Sequence, residues 1–314
     1  MGAGLDESDT TRSLRLGTRG SALARAQSAL VAGALADRGA RVELVTVVTE
    51  GDLRPPDSAW GEGAFVGALE RALLAGEVDV AVHSAKDVPI EPETALVVAA
   101  FPPRVDPRDV LVTRTAEPAA ALADLPWGAT VGTDSPRRVG FLRASRPDLR
   151  VVPLHGNVDT RLARLDRGEV DALVLAAAGL LRLGRADRIG AALAPDVLAP
   201  APGQGALAVQ VRADDAATRR AVGRLDDPAT RVAVLAERAV LAATGGGCRA
   251  PLGALGIIEE TADGPRLRLV AAAVDPDGSR LRSARRTGRP EEAGRLATEI
   301  AAELLAAGPV GAGR

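Results

Sequence analysis

The chain has 314 residues, with 39 Lys and Arg against 41 Asp and Glu and a formal charge of -2. That balance leaves no chain-wide basic field and excludes nucleic-acid binding driven by net charge. Hydrophobic residues make up 46% and charged residues 25% of a chain with one cysteine, which excludes intrinsic disorder and an internal disulfide framework.

Residues 1–12, MGAGLDESDTTR, are polar and acidic with no apolar core, so they read as a disordered tail without a secretory signal. The apolar run 172–181 is the longest, well short of the roughly 20 residues a membrane helix needs. A cytoplasmic protein without membrane attachment is expected. A strand at 14–16 runs into a helix that Ser21 can cap. The sequence then predicts a strand at 42–48, a helix at 64–74 and a strand at 78–82 that leads into HSAKDVP. Two apolar runs within 95–112 are separated by FPPRVDPRD, a Pro-rich crossover expected to be a hinge. The pattern then restarts with strand 130–132, helix 135–144, strand 151–154, helix 158–166 and strand 172–176. APAPGQGALAVQV is a second Pro/Gly junction leading into a strand. An amphipathic helix at 230–243 ends at three glycines, and a strand at 267–274 and a long helix at 291–307 follow. Repeated strand–helix alternation predicts an α/β fold with mostly parallel sheets. Two similar halves around a cleft and a smaller C-terminal α/β domain are expected. The expected boundaries are 13–103 plus 203–223 for domain 1, 108–199 for domain 2 and 224–314 for domain 3.

No P-loop, GxSxG elbow or GxGxxG is present. One cysteine and two histidines do not assemble a typical zinc site, while carboxylate-rich metal sites stay open. Lys86 is the only lysine, the other 38 basic residues being arginines, and there is no tyrosine. Arginine clusters are therefore weak signals here, and the lone Lys86 is a strong one.

In VDVAVHSAKDVP the strand delivers His83, Ser84, Lys86 and Asp87 at its C-terminal end, the edge where open α/β sheets bind ligands. Asp87 is a candidate to stabilise a cationic intermediate. In VGTDSPRR, Ser135 is a natural N-cap and Pro136 a natural N1. Arg137 and Arg138 then fall in the first turn, against the helix dipole, which points to a bound anion. In GNVDTRL, Asn157 can cap a helix whose next turn carries Arg161, for which pairing with Asp159 is the competing reading. Arg19 and Ser21 repeat the pattern at the first helix. Cys248 follows Gly245–Gly247, in a loop read as exposed, and is a candidate nucleophile or covalent attachment point.

Taken together, GTRGSALARAQ, VVTEGD, GAFVGALERALLAGEVDVAVHSAKDVP, VGTDSPRR, GNVDTRL, LAAAGLLRLG, PAPGQGAL and GGGCRAPLGA resemble the porphobilinogen deaminase (hydroxymethylbilane synthase) family, in the family's order from about residue 14 to 256. The resemblance implies two lobes like those of type II periplasmic binding proteins and a third domain that carries a cysteine-linked dipyrromethane cofactor, here on Cys248. It implies head-to-tail condensation of four porphobilinogens with loss of ammonia, in tetrapyrrole biosynthesis, by a monomer without metal. It casts Asp87 and Lys86 as catalytic. Arg19, Ser21, His83, Ser84, Lys86, Thr133, Ser135, Arg137, Arg138 and Gln204 become cofactor contacts. Arg19, Ser21, His155, Arg161 and Arg182 become substrate contacts. Four positions depart from the family pattern, of which Gly20 and Ala22, in place of bulkier residues near Arg19, carry no clear consequence. His155 stands where the family has arginine, which implies pH-dependent carboxylate binding there, and Glu62 stands where a lid loop has lysine. The alternative is a non-catalytic two-lobed protein that binds small anions, or a degenerate homologue.

Overall fold

Runs of Val, Leu and Ala flanked by turn residues build two sheets of the same plan. The computed structural model describes residues 13–48, 66–91, 93–114, 121–247 and 249–310. The expected tail at 1–12, Glu62 and Cys248 lie outside the described residues.

In the first lobe, β1 (Ser13–Thr18) leads into α1 (Ala22–Ala36), whose N-cap Ser21 accepts a hydrogen bond from the Ala24 amide. There follow β2 (Arg41–Thr46), α2 (Gly67–Leu74), β3 (Val80–Ser84) and β4 (Leu96–Ala100). The second lobe holds β5 (Asp109–Thr113), β6 (Thr130–Gly132), α3 (Pro136–Ser145), β7 (Arg150–Val152), α4 (Val158–Asp166), β8 (Ala172–Ala176), α5 (Ala177–Arg182) and β9 (Ala191–Ala192). The chain then returns through β10 (Leu207–Arg212) to the first sheet and continues into α6 (Ala216–Gly223). The sheet orders are β2-β1-β3-β10-β4 and β7-β6-β8-β5-β9. In each, three parallel strands meet one antiparallel strand, β10 or β5, that arrives straight from a crossover between the lobes. Both crossovers therefore lie at the strand ends that face the cleft.

The first helix of each lobe, its strands and the crossover segments follow the expected order. One strand runs further than expected. Pairing of Leu207 with Ser84 and Ala208 with His83 extends β3 to Ser84, so His83 and Ser84 are strand residues. Lys86 and Asp87 sit in a 3-10 turn at Ala85–Asp87.

The C-terminal domain is antiparallel, unlike the lobes. Helix α7 (Pro228–Ala243) precedes a meander of β11 (Leu252–Thr261), β12 (Gly264–Ala273) and β13 (Arg282–Gly288), and α8 (Ala293–Ala306) closes it. Val240, Leu241, Leu267, Leu269, Leu296 and Ile300 fill the space between helices and sheet. Strand β13, RSARRTG, has little apolar signal, because Ala284 and Gly288 are its buried positions.

The buried carboxylate of Glu237, on α7, joins this domain to both crossovers and is 0% exposed. It accepts from Arg104 Nη1 at 2.6 Å and Nη2 at 3.1 Å on the first crossover, and from the Gly203 amide at 2.6 Å on the second. The Gly256 amide of β11 adds a fourth bond at 2.8 Å. Removing one member of a buried pair leaves the other charge desolvated. Glu237→Ala is expected to cost about 3–5 kcal/mol, read from urea denaturation midpoints; a cost near zero would show that these bonds do not hold the domains together.

Candidate active site

The two lobes and the second crossover enclose a cleft of about 300 Å³. Its first-lobe wall is built by the α1 N-terminus and the end of β3, so Arg19, Ser21, His83, Ser84, Lys86 and Asp87 all line it. Gln27, one turn further along α1, donates to Ser84 Oγ at 3.1 Å. His83 is buried and its Nε2 lies 3.1 Å from Gln210 Oε1. Burial lowers its pKa to about 4 against that hydrogen bond, which favours its charge, and nearby Arg19 lowers it further, so the ring is neutral at pH 7.

Lys86 and Asp87 are adjacent and shifted in opposite directions. Desolvation in the cleft lowers the Lys86 ammonium to about 8, opposed by Asp87, with Arg138 adding to the fall. Desolvation raises the Asp87 carboxyl above its ordinary range, opposed by Lys86 and Arg19. Asp87 nevertheless keeps a face open to the cleft. Opposite shifts on an adjacent acid and base make the pair a candidate for the functional centre. Lys86 Nζ also donates to Gln204 Oε1 at 3.2 Å, and Gln204 Nε2 reaches Asp109 Oδ1 at 3.1 Å across the hinge.

The second-lobe wall brings Arg138, Arg161 and Arg182 to the cleft. Arg182 Nη2 donates to the Gly205 carbonyl at 2.7 Å, and its buried Nε has no hydrogen-bond partner among the described residues. Burial lowers it to about 10. Arg161 pairs with Asp134 at 3.0 Å and donates from Nε to the Gly156 carbonyl at 2.8 Å. Asp159, the partner weighed from sequence, is thus replaced by Asp134. Asn157 occupies the N-cap of α4 but makes no side-chain cap bond.

Four expected site residues fall outside the cleft lining. Thr133 is buried, and its Oγ1 accepts from the Ser135 amide at 3.3 Å. Ser135 caps α3 by accepting from the Arg138 amide at 3.4 Å. Arg137 turns inward to Asp109 Oδ2 at 2.8 Å and the Ala199 carbonyl. His155 Nδ1 lies 3.1 Å from Asp134, which does line the cleft. Arg138 lines the cleft and also donates to Asp109, at 2.7 and 3.0 Å. The charges at the α3 N-terminus are therefore largely met by Asp109.

Sequence reasoning missed Asp109, Asp134, Arg104, Glu237 and Arg238. A signal existed for Glu237: it interrupts the apolar stripe formed by Ala233, Val234, Val240 and Leu241. Among the described residues no His, Cys, Asp and Glu cluster suits a metal, and no helix is long and apolar enough to cross a membrane.

The Lys86 shift has a testable sign. The folded chain releases this proton near pH 8 and the unfolded chain near 10.5. Between those values the unfolded state holds more protons, so stability rises with pH. Lys86→Met is expected to remove that rise, measured as urea midpoints at intervals across the window; parallel curves for both chains would refute the shift.

The description "Porphobilinogen deaminase, dipyromethane cofactor binding domain" matches residues 14–220, and "Porphobilinogen deaminase, C-terminal domain" matches 231–306. The chain is 52% identical to "Porphobilinogen deaminase" of Acidothermus cellulolyticus, over 94% of this chain and 89% of that one. Identity is 50% to the Nocardia farcinica protein of that name, over 94% and 86%, and 49% to "Porphobilinogen deaminase 1" of Streptomyces coelicolor, over 96% and 98%. Similar solved structures include the periplasmic VFT2 domain of Bordetella pertussis BvgS, with TM-score 0.41, 22% identity and coverage of 68% and 86%. A Burkholderia cenocepacia nutrient-binding protein bound to methionine gives TM-score 0.42 at 14% identity, over 68% and 92%. With family descriptions spanning both lobes and the C-terminal domain, and relatives at half identity along nearly the whole chain, the protein belongs to the porphobilinogen deaminase family.

Proposed function

We propose that the chain condenses four porphobilinogens head to tail into linear hydroxymethylbilane, releasing ammonia, and does so as a cytoplasmic monomer without metal. The domains taken to do this are 13–103 with 203–223, 108–199 and 224–314. The observation that carries the reading is one cleft in which the raised carboxyl of Asp87 stands with the desolvated guanidinium of Arg182. Nothing in the relatives favours a non-catalytic protein.

The residues fit a dipyrromethane group. Each of its pyrroles carries an acetate and a propionate, and the cleft offers Arg182, whose buried Nε lacks a partner among the described residues, beside Arg19, Arg138 and Arg161. Cys248 would hold the group by a thioether, with Ser84, Lys86 and Gln204 as neutral and cationic contacts. When bound, the group supplies the free α-carbon of a terminal pyrrole as nucleophile.

The chain's own residues would act on the incoming porphobilinogen. Arg19, Arg161 and Arg182 bind its carboxylates, and Ser21 offers its hydroxyl at the helix start. Loss of ammonia takes the C–N electron pair and leaves an electron-poor ring. Asp87 accepts hydrogen bonds from the pyrrole N–H and stabilises the developing positive charge. Lys86 favours the ionised form of Asp87. Arg137, Arg138 and His155 contribute as supports, through Asp109 and Asp134. Thr133 and Ser135 fix the turn they extend from.

Intact mass under denaturing conditions, with peptide mapping, is expected to find two pyrrole units on Cys248. A thiol that stays bare after incubation with porphobilinogen would overturn the reading. Asp87→Asn is expected to lower turnover by about 10²–10³-fold in a folded, loaded protein; unchanged turnover would remove Asp87 from the chemistry.

A further inference from the structure

The turn that carries Lys86 and Asp87 packs on its own lobe through Ala85 and Val88, which share a buried cluster with Phe101, Ala206 and Ala208. The Ala85–Asp87 turn has no side-chain cap. Among the described residues its backbone is tied by the Ala85 amide to the Ala206 carbonyl at 3.0 Å, and Pro89 brings no donor. The carbonyls that flank the two residues are met from the C-terminal domain instead. Arg238, on α7, donates from Nη1 to the Ala85 carbonyl at 3.1 Å and the Val88 carbonyl at 2.8 Å, and from Nη2 to the Pro89 carbonyl at 2.5 Å. One turn earlier on the same helix face, Val234 packs into the buried cluster that contains Ala85 and Val88. Ile90, just past the turn, packs against the core of the C-terminal domain. Gly203 closes the other side: a Cβ there would meet the Ala85 carbonyl carbon and the Lys86 nitrogen at 3.1 Å.

We infer that Arg238 is a positioning residue that fixes Lys86 and Asp87 from the C-terminal domain, by holding the three carbonyls on either side of them. A planar guanidinium suits this task, since its donors diverge at fixed angles and one group reaches three acceptors. An ammonium at the same place is a single point with a shorter reach. Arg238 reaches the two residues through the backbone carbonyls it holds. The same helix leads through Gly245–Gly247 to Cys248 in the sequence. The inference rests on the proposed function for the word catalysis, but not for the contacts.

The test uses the full chain carrying Arg238→Lys, which keeps the charge, with Arg238→Gln as a second variant. Arg231→Gln, on the same helix and bonded to Asp226 and the Ala99 carbonyl, controls for general loss of stability. Hydrogen exchange at the amides of residues 84–90 is expected to accelerate in both Arg238 variants and not in Arg231→Gln. Turnover is expected to fall by about 10²-fold, the scale of a 1 Å misplacement, with KM within about twofold and the Lys86 limb of the pH profile displaced. Unchanged exchange at 84–90 would overturn the inference, as would an equal fall in kcat for Arg231→Gln. Asp87→Asn, run in parallel, separates the failures. Full turnover there sinks the proposed function while the exchange data still judge Arg238. An inactive Asp87→Asn beside an unchanged Arg238→Lys sinks the positioning role alone.

Discussion

A carboxylate with no access to water has to be satisfied by protein alone, and Glu237 imposes that constraint on the whole molecule. The penalty for burying an ion is several kcal/mol, so its partners are not free to drift. Those partners come from the first crossover, the second crossover and β11. Satisfying one charge therefore fixes the angle at which the C-terminal domain meets the hinge. Arg104 passes the constraint on, donating from Nε to the Gln204 carbonyl at 2.8 Å. Gln204 then reaches the Pro107 carbonyl, Asp109 and Lys86. A continuous set of polar contacts thus runs from the core of the C-terminal domain to the mouth of the cleft.

The cleft itself holds its charge in check. Arg138 is met by Asp109 and Arg161 by Asp134, so the basic wall is only partly available to an anion. Burial alone would raise Asp109; Arg137, Arg138 and Lys86 outweigh it and keep the carboxylate ionised. The remaining imbalance is concentrated at Arg182, where burial is the one cause of the shift. Burial disfavours the charge of Arg182 and of Lys86, and it raises the Asp87 carboxyl.

The strand–helix alternation made both lobes legible, because apolar runs and capping residues are local signals. Ser135 and Pro136 placed the start of α3 to the residue. They said nothing about where Arg137 and Arg138 point, since a cap fixes the backbone and not the side chain. Asp109, far away in sequence, decides that. His155 was legible as a departure from the family's arginine, but its partner Asp134 was not, for the same reason. Strand β13 was lost because three arginines occupy a seven-residue strand with small inward residues. The turn at 85–87 was legible as chemistry, through its lone lysine, and illegible as architecture.

That last gap has a physical root. A strand that ends in a 3-10 turn before proline leaves carbonyls whose natural partners, the amides of a following helix, do not exist. The Ala85 amide is already committed to the Ala206 carbonyl, just before β10. Orphaned buried carbonyls cost about 1–3 kcal/mol each, so a donor has to come from outside the lobe. The positive φ of Gly203 and Gly205 lets the second crossover press against the turn and against the Val105 carbonyl. That leaves α7 as the element within reach on the remaining side. The C-terminal domain is therefore needed to complete the turn that carries Lys86 and Asp87, whatever is attached to its cysteine.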